Sequence, residues 1–258
     1  MDLVEAVVFT IEDRNRLCER VLELARADIR VVAGAVVGSL ARTAGDRWSD
    51  LDLTFGVSDG VPVGDVLEDW TRTVVAEFAA TRLFDLPAGT SIYRVFLVPE
   101  LLQFDLSFTP AADFGAMGPD FRLLFGTAVQ KPHLEPPSVS QLFGYAVHHA
   151  LRARFCIERA RFWNAEYWIS AARDHALSIA CVRLGLPAHY GKGVDDLPAD
   201  VRAGFDRSLV TSFDRAELLR ALERVIAGLL VEARAFPGLA TAVEGQLRSL
   251  TRPSVFET

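Results

Sequence analysis

Two short stretches between Val31 and Phe55 constrain the fold more than anything else in the chain. Val31-Val32-Ala33-Gly34-Ala35-Val36-Val37 is an unbroken apolar run rich in β-branched residues, the pattern of a strand buried on both faces. Asp50-Leu51-Asp52-Leu53-Thr54-Phe55 instead alternates polar and apolar residues. Its strand should bury one face and open the other, and the open face carries two carboxylates.

The surrounding sequence supplies the partners. Thr10-Ile11-Glu12-Asp13 is a helix-capping pattern, and Leu17, Val21 and Leu24 follow at helical spacing, which predicts a helix over Glu12–Arg26. A second helix is expected over Val63–Ala79, with Val66, Trp70, Val74 and Phe78 on one side. Ile92–Val98 and Leu101–Phe108 read as a hairpin around Pro99-Glu100; in its second strand Gln103, Asp105 and Ser107 share the open face. Pro132, Pro136 and Pro137 then mark a linker. Beyond it only helices are predicted: Ser140–Arg161, Asn164–Leu184, Asp214–Phe236 (opened by the Asp214-x-x-Glu217 cap) and Leu239–Leu250. The expected fold class is α+β, with a mixed-sheet domain over residues 1–131 and a helical bundle over 138–258. A cleft between the two is the expected site.

Composition narrows the partners. With 27 basic and 34 acidic residues the net charge is −7, and the basic residues are scattered among acids. A polynucleotide grip needs clustered cations, so nucleic acid is disfavoured and a small or cationic partner suits better. The longest apolar runs, Val31–Leu40 and Ile226–Val231, fall well short of the roughly 18 residues that suggest a membrane span. Met1 is followed by Asp2 and Glu5 where a secretory signal would need a basic start, so a cytoplasmic location is expected. Cys18, Cys156 and Cys181 are far apart and odd in number, which implies neither a disulfide framework nor a thiolate zinc site.

Three features carry chemistry. Gly38-Ser39 closes the buried strand and is expected to open a short helix to about Ala44. Such a turn can receive phosphate through the glycine backbone, the first helical N–H groups and the serine hydroxyl, and it is also a common turn in its own right. Asp50 and Asp52 follow on one strand face, where their repulsion calls for cations; oxygen ligands of this kind prefer Mg2+ or Mn2+. Asp105, from the open face of another strand, offers a third carboxylate.

These residues resemble the DNA polymerase β nucleotidyltransferase superfamily, whose mark is Gly-Ser, a short spacer, then Asp-hydrophobic-Asp-hydrophobic. Here that is Gly38-Ser39 and, after a ten-residue spacer, Asp50-Leu51-Asp52-Leu53. The string Gly38-Ser39-Leu40-Ala41-Arg42, with Trp48-Ser49 before the acids, is similar to the small-molecule and minimal branches. The helical second domain is similar in kind to that of lincosamide and aminoglycoside nucleotidyltransferases. Thr43 departs from the glycine many relatives carry after the arginine. The resemblance implies two Mg2+ ions held by Asp50, Asp52 and Asp105, with ATP or another nucleoside triphosphate as co-substrate. It also implies AMP transfer to a hydroxyl of a small molecule, with an aminoglycoside or lincosamide antibiotic as the plausible acceptor. A protein-modifying, antitoxin-like transferase and a non-catalytic nucleotide-binding module are the alternatives, and the sequence leaves room for a homodimer.

Further residues enter as candidates. Arg42 can add a charged contact to phosphate or simply face solvent. Lys192, in His189-Tyr190-Gly191-Lys192-Gly193, is one of only two lysines, with Lys131, in a chain that otherwise uses arginine. A compact cation in a glycine-flanked loop suits a phosphate. For the general base the candidates are Asp105 and Glu166, the latter near the start of the second bundle helix. Trp163, Tyr167 and Trp168 read as core packing. His148 and His149, adjacent on a helix, cannot easily share a metal, and the Arg183/His189 spacing is a weak match to a helical ribonuclease family.

Overall fold

The computed structural model describes residues 8–42, 45–132, 135–236 and 238–252. The chain divides into two compact units, Met1–Leu134 and Glu135–Thr258. The fold class is α+β: a six-stranded mixed sheet with helices in the first unit, helices alone in the second.

The first unit runs α1 (Ile11–Ala27), β1 (Val31–Val37), β2 (Leu51–Val57), α2 (Val63–Phe78), β3 (Thr81–Ala88), β4 (Ser91–Val98), β5 (Leu102–Pro110) and β6 (Phe121–Phe125). Thr10 and Asp13 cap α1 reciprocally: the threonine hydroxyl accepts from the Asp13 N–H, and the aspartate accepts from the Thr10 N–H. The sheet order is β3-β4-β5-β2-β1-β6. β2 and β5 pair in parallel, and every other neighbouring pair is antiparallel. The β4–β5 hairpin turns at Pro99–Leu101, where Glu100 and Leu101 both take positive φ.

One face of the sheet is closed by α1 and α2. Leu51, Leu53 and Phe55 of β2 join Phe104, Leu106 and Phe108 of β5 and meet Leu17 and Val21 of α1 and Trp70 and Val74 of α2. Phe55 is the hub of this core, with ring centroids 5.5 Å from Trp70, 5.7 Å from Phe108 and 6.3 Å from Phe125. β1 must carry glycine at position 34, because a Cβ there would sit 2.4 Å from the Phe125 ring. Trp70 also donates its indole N–H to Asp28 at 2.9 Å, tying α2 to the turn before β1. Hydrogen bonds from the Arg30 guanidinium hold the Asp28 carboxyl down at about 2.

The other face is open only in part. The alternation in β2 predicts an open position at Thr54, yet Thr54 is buried. Phe114 closes that end of the face, clustering with Ala33, Ala35 and Phe121 and lying over Gly56. The acids at the other end of the strand stay partly exposed.

The second unit contains α3 (Val139–Glu158), α4 (Phe162–Arg183), α5 (Ala199–Ala203), α6 (Arg215–Ala233) and α7 (Glu244–Ser249). Its core sets Ala146, Ala150 and Ala153 of α3 with Ala165, Ala172 and Ala176 of α4, small residues that let helix backbones approach closely. Asp214 caps α6, its carboxylate accepting from the Glu217 N–H at 2.8 Å. The last helix is shorter than the sequence predicts: residues 239–243 form turns, and only Glu244–Ser249 is α-helical. Among the described residues no helix is long and apolar enough to cross a membrane.

Because Phe55 is fully buried at the hub of the ring cluster, Phe55→Ala should destabilise the protein by about 3 to 5 kcal/mol, the usual cost of emptying an aromatic core position. Urea denaturation followed by tryptophan fluorescence reads this as a fall in midpoint; an unmoved midpoint would show that the first unit does not depend on this core.

Candidate active site

The parallel pairing of β2 with β5 sets Asp52 directly beside Asp105. Asp50 lies one residue before β2 rather than within it, so strand alternation alone does not place it. The loop before it is held from α1 instead. Arg14, only 4% exposed, donates to the carbonyls of Asp46 (2.8 Å) and Ser49 (2.7 Å). Within the loop Ser49 Oγ accepts from the Asp46 N–H, and Asp46 Oδ1 accepts from the Trp48 N–H. The result is a carboxylate oxygen from each of Asp50, Asp52 and Asp105 within 4.8 Å of the others. Among the described residues no other group of three His, Cys, Asp or Glu side chains comes together in this way.

Arg14 escaped the sequence reading. Its signal was an arginine three residues before Leu17 and seven before Val21, on the stripe of α1 that faces the core. A cation at such a position needs polar partners, and the loop carbonyls are those partners.

Burial raises the pKa of Asp105 above the ordinary carboxylate range, opposed by a hydrogen bond from Gln103 at 3.0 Å and reinforced by the Asp50 charge. Tyr93, opposite Ser107 on β4, has its hydroxyl pKa pushed up by burial, and the charge of Asp52 adds to the same effect. Three half-exposed carboxylates on one face form the donor set that a hard divalent cation takes, so the residues fit Mg2+ or Mn2+.

Gly38 frames the site just past the end of β1. Its φ is +70°, a conformation other residues rarely adopt, and a Cβ there would lie 2.4 Å from Asp52 Oδ2. Glycine therefore leaves the Asp52 carboxylate its room. The expected short helix is a 3-10 turn, Gly38–Arg42, and its extension toward Thr43 and Ala44 falls outside the described residues. The Gly38 N–H donates to the Asp120 carbonyl at 3.1 Å, so it is occupied by the fold, whereas the Ser39 side is exposed. Arg42 forms an ion pair with Asp120.

The remaining candidates lie in the second unit. Glu166, on α4, accepts from the Ser170 hydroxyl at 2.6 Å, and Ser170 is in turn approached by Arg173. Lys192 is exposed in the turn after α4, its N–H donating to the His189 carbonyl. Trp163 and Tyr167 are surface residues, 78% and 62% exposed, and not the core packing expected of them; the Trp163 ring rests on Phe213. Arg183 is an ion-pair partner of buried Glu232 at 2.8 Å, a structural role that accounts for it without nuclease chemistry. His149 stacks with His175 at 5.0 Å, and burial lowers the pKa of both.

No protein-family model matches the chain, and no curated protein matches it. Solved structures similar to it include an aminoglycoside 6-adenyltransferase from Bacillus subtilis, 10% identical, with 93% of this chain and 99% of that chain covered at a TM-score of 0.40. Another is the CdnE cyclic dinucleotide synthase of Elizabethkingia meningoseptica with GTP and Apcpp, 11% identical, covering 95% of this chain and 92% of that one at a TM-score of 0.32.

The contact between Gly38 and Asp52 yields a direct test. Gly38→Ala adds both a strained φ and a clash, and should weaken Mn2+ binding about tenfold, or 1.4 kcal/mol, with the fold retained. Electron paramagnetic resonance of free Mn2+ measures this. Parental affinity in the variant would mean that Asp52 is not a ligand held by this contact.

Proposed function

We propose that this chain is a metal-dependent nucleotidyltransferase that moves a nucleoside monophosphate, AMP from ATP in the simplest case, onto a hydroxyl of a small molecule. The observation that carries the reading is the convergence of Asp50, Asp52 and Asp105 within 4.8 Å beside a glycine that cannot be replaced without striking Asp52. Among the described residues, no other three His, Cys, Asp or Glu side chains gather in this way.

The three aspartates would hold the divalent ions. Bound there, such ions would offset the carboxylate charge and polarise the phosphate oxygens. Ser39, exposed beyond Gly38, presents its hydroxyl as a donor for the triphosphate. In the transfer the acceptor oxygen forms a bond to the α-phosphorus, the bond from that phosphorus to the β-phosphate oxygen breaks, and pyrophosphate departs. The hydroxyl proton goes to a carboxylate base, for which Asp105, beside Asp52 across the β2–β5 pairing, and Glu166 are the candidates. Most of the rate would come from alignment and charge neutralisation, as in other phosphoryl transfers. Small hydroxyl compounds, an aminoglycoside and a lincosamide among them, are the acceptors to try, and Lys192 and Glu166 are the candidates to add from the helical unit.

Asp52→Asn removes a ligand without changing volume, so it should abolish Mg2+-dependent pyrophosphate release from ATP plus acceptor while leaving the thermal unfolding midpoint close to the parent. Turnover within a few-fold of the parent would exclude this reading.

Lys192→Ala should lower nucleotide affinity or turnover tenfold or more, from the about 1.5 to 3 kcal/mol typical of a hydrogen bond to a charged group. Lys131→Ala is the matched control of equal charge change. Equal behaviour of the two variants in a nucleotide titration would assign Lys192 no phosphate role.

A further inference from the structure

The order of strands says which side of the carboxylates is left for the acceptor, and this inference rests on the transferase reading above. Crossing the sheet from β1, one meets Gly38 against Asp52, then Asp105 on β5, then β4 and β3. The phosphate turn occupies the β1 side, so the side beyond Asp105 is the surface of β4 and β3. Register fixes what that surface shows. Val95 lies opposite Asp105, Tyr93 opposite Ser107 and Leu97 opposite Gln103; on β3, Phe84 faces Val95 and Leu86 faces Tyr93.

This strip bears no charge. The ionic residues of the two strands, Arg82, Asp85 and Arg94, fall at the alternate positions, where Arg94 pairs with Asp85 and with Glu68 of α2. Yet its outer residues are open, around a buried Val95: Phe84 is 50% exposed, Leu86 55% and Leu97 38%. Adjoining exposed apolar side chains on one sheet face mark a candidate binding surface, and this one begins beside Asp105.

We propose that the Tyr93, Leu97, Phe84 and Leu86 strip is the acceptor subsite, and that it selects a hydroxyl compound with an uncharged apolar body, an aromatic or aliphatic ring, rather than a polycationic sugar. The chain's acidic balance favours cations in general. On the strip itself a polyamine would meet, among the described residues, no carboxylate beyond those that would hold the metal, while an apolar ring would cover Phe84 and Leu86 and gain from their desolvation.

The test compares acceptors that share hydroxyls and differ in their body: p-nitrophenyl β-galactoside, methyl β-galactoside and the polycationic kanamycin, each with Mg2+ and ATP, read as pyrophosphate release. The aryl glycoside should exceed the methyl glycoside in kcat/KM by tenfold or more, and the Phe84→Ser/Leu86→Ser double variant should erase that ratio while its Mg2+-ATP affinity moves less than twofold. Leu86→Ser alone, milder for folding, should reduce the ratio in part, with circular dichroism melting confirming the fold of both variants. Preference for kanamycin, or an aryl preference that survives the double variant, overturns the subsite but leaves the transferase reading standing. A dimer at sedimentation equilibrium that the double variant dissociates would make the strip a contact between copies and overturn the proposal. No turnover with any of the three acceptors, in a protein that binds Mg2+-ATP, would count against the transfer reading and the subsite together.

Discussion

The repulsion among Asp50, Asp52 and Asp105 is the constraint around which the first unit is built. With the carboxylate oxygens within 4.8 Å of one another, each ionised pair costs at least roughly 3.5 kcal/mol in a medium of effective dielectric about 20. A chain does not hold such a group together by its own preference. The opposing work is done on the other face of the sheet, where Phe55, Phe104, Phe108 and Trp70 bury large rings and fix β2 against β5. Because those two strands are parallel and in register, burying the rings on one side obliges Asp52 and Asp105 to stand together on the other.

The parts that flank the acids follow from the same demand. Asp50 sits outside the strand, so its position depends on a loop, and a loop needs anchoring if it is to present a charge toward two others. Arg14 supplies the anchor from α1, coupling a helix whose apolar stripe belongs to the core with the loop that delivers the third carboxylate. Gly38 supplies the clearance on the β1 side. Core, loop and turn are thus three responses to one electrostatic arrangement, which is the pattern expected where a site imposes strain that the rest of the fold offsets.

The sequence showed the elements whose burial repeats with a clear period. β1 and β2 were legible because one is apolar throughout and the other alternates, and the β4–β5 hairpin because Pro99-Glu100 separates two strand-like runs. β3 and β6 were not, because both lie at the edges of the sheet: β3 is exposed along nearly its whole length and contains Pro87, so neither burial nor alternation marks it. The parallel pairing of β2 and β5 is a long-range choice that no local pattern records. The three carboxylates were legible from alternation and motif, although Asp50 reaches the group through its anchored loop and not through the strand. Trp163 and Tyr167 misled for a simple reason: aromatic residues in a helix suggest a core, and here the buried stripe of α4 is built from alanines with Ile169, Ile179 and Cys181 instead.

The central claim is that these three aspartates form one divalent-cation and nucleotide site. Anomalous diffraction from crystals grown with Mn2+ and a non-hydrolysable ATP analogue tests it most directly. The account predicts manganese peaks bridged by Asp50, Asp52 and Asp105, with the triphosphate resting at Gly38-Ser39. Manganese bound elsewhere, or nucleotide bound with the three carboxylates left unligated, would contradict it.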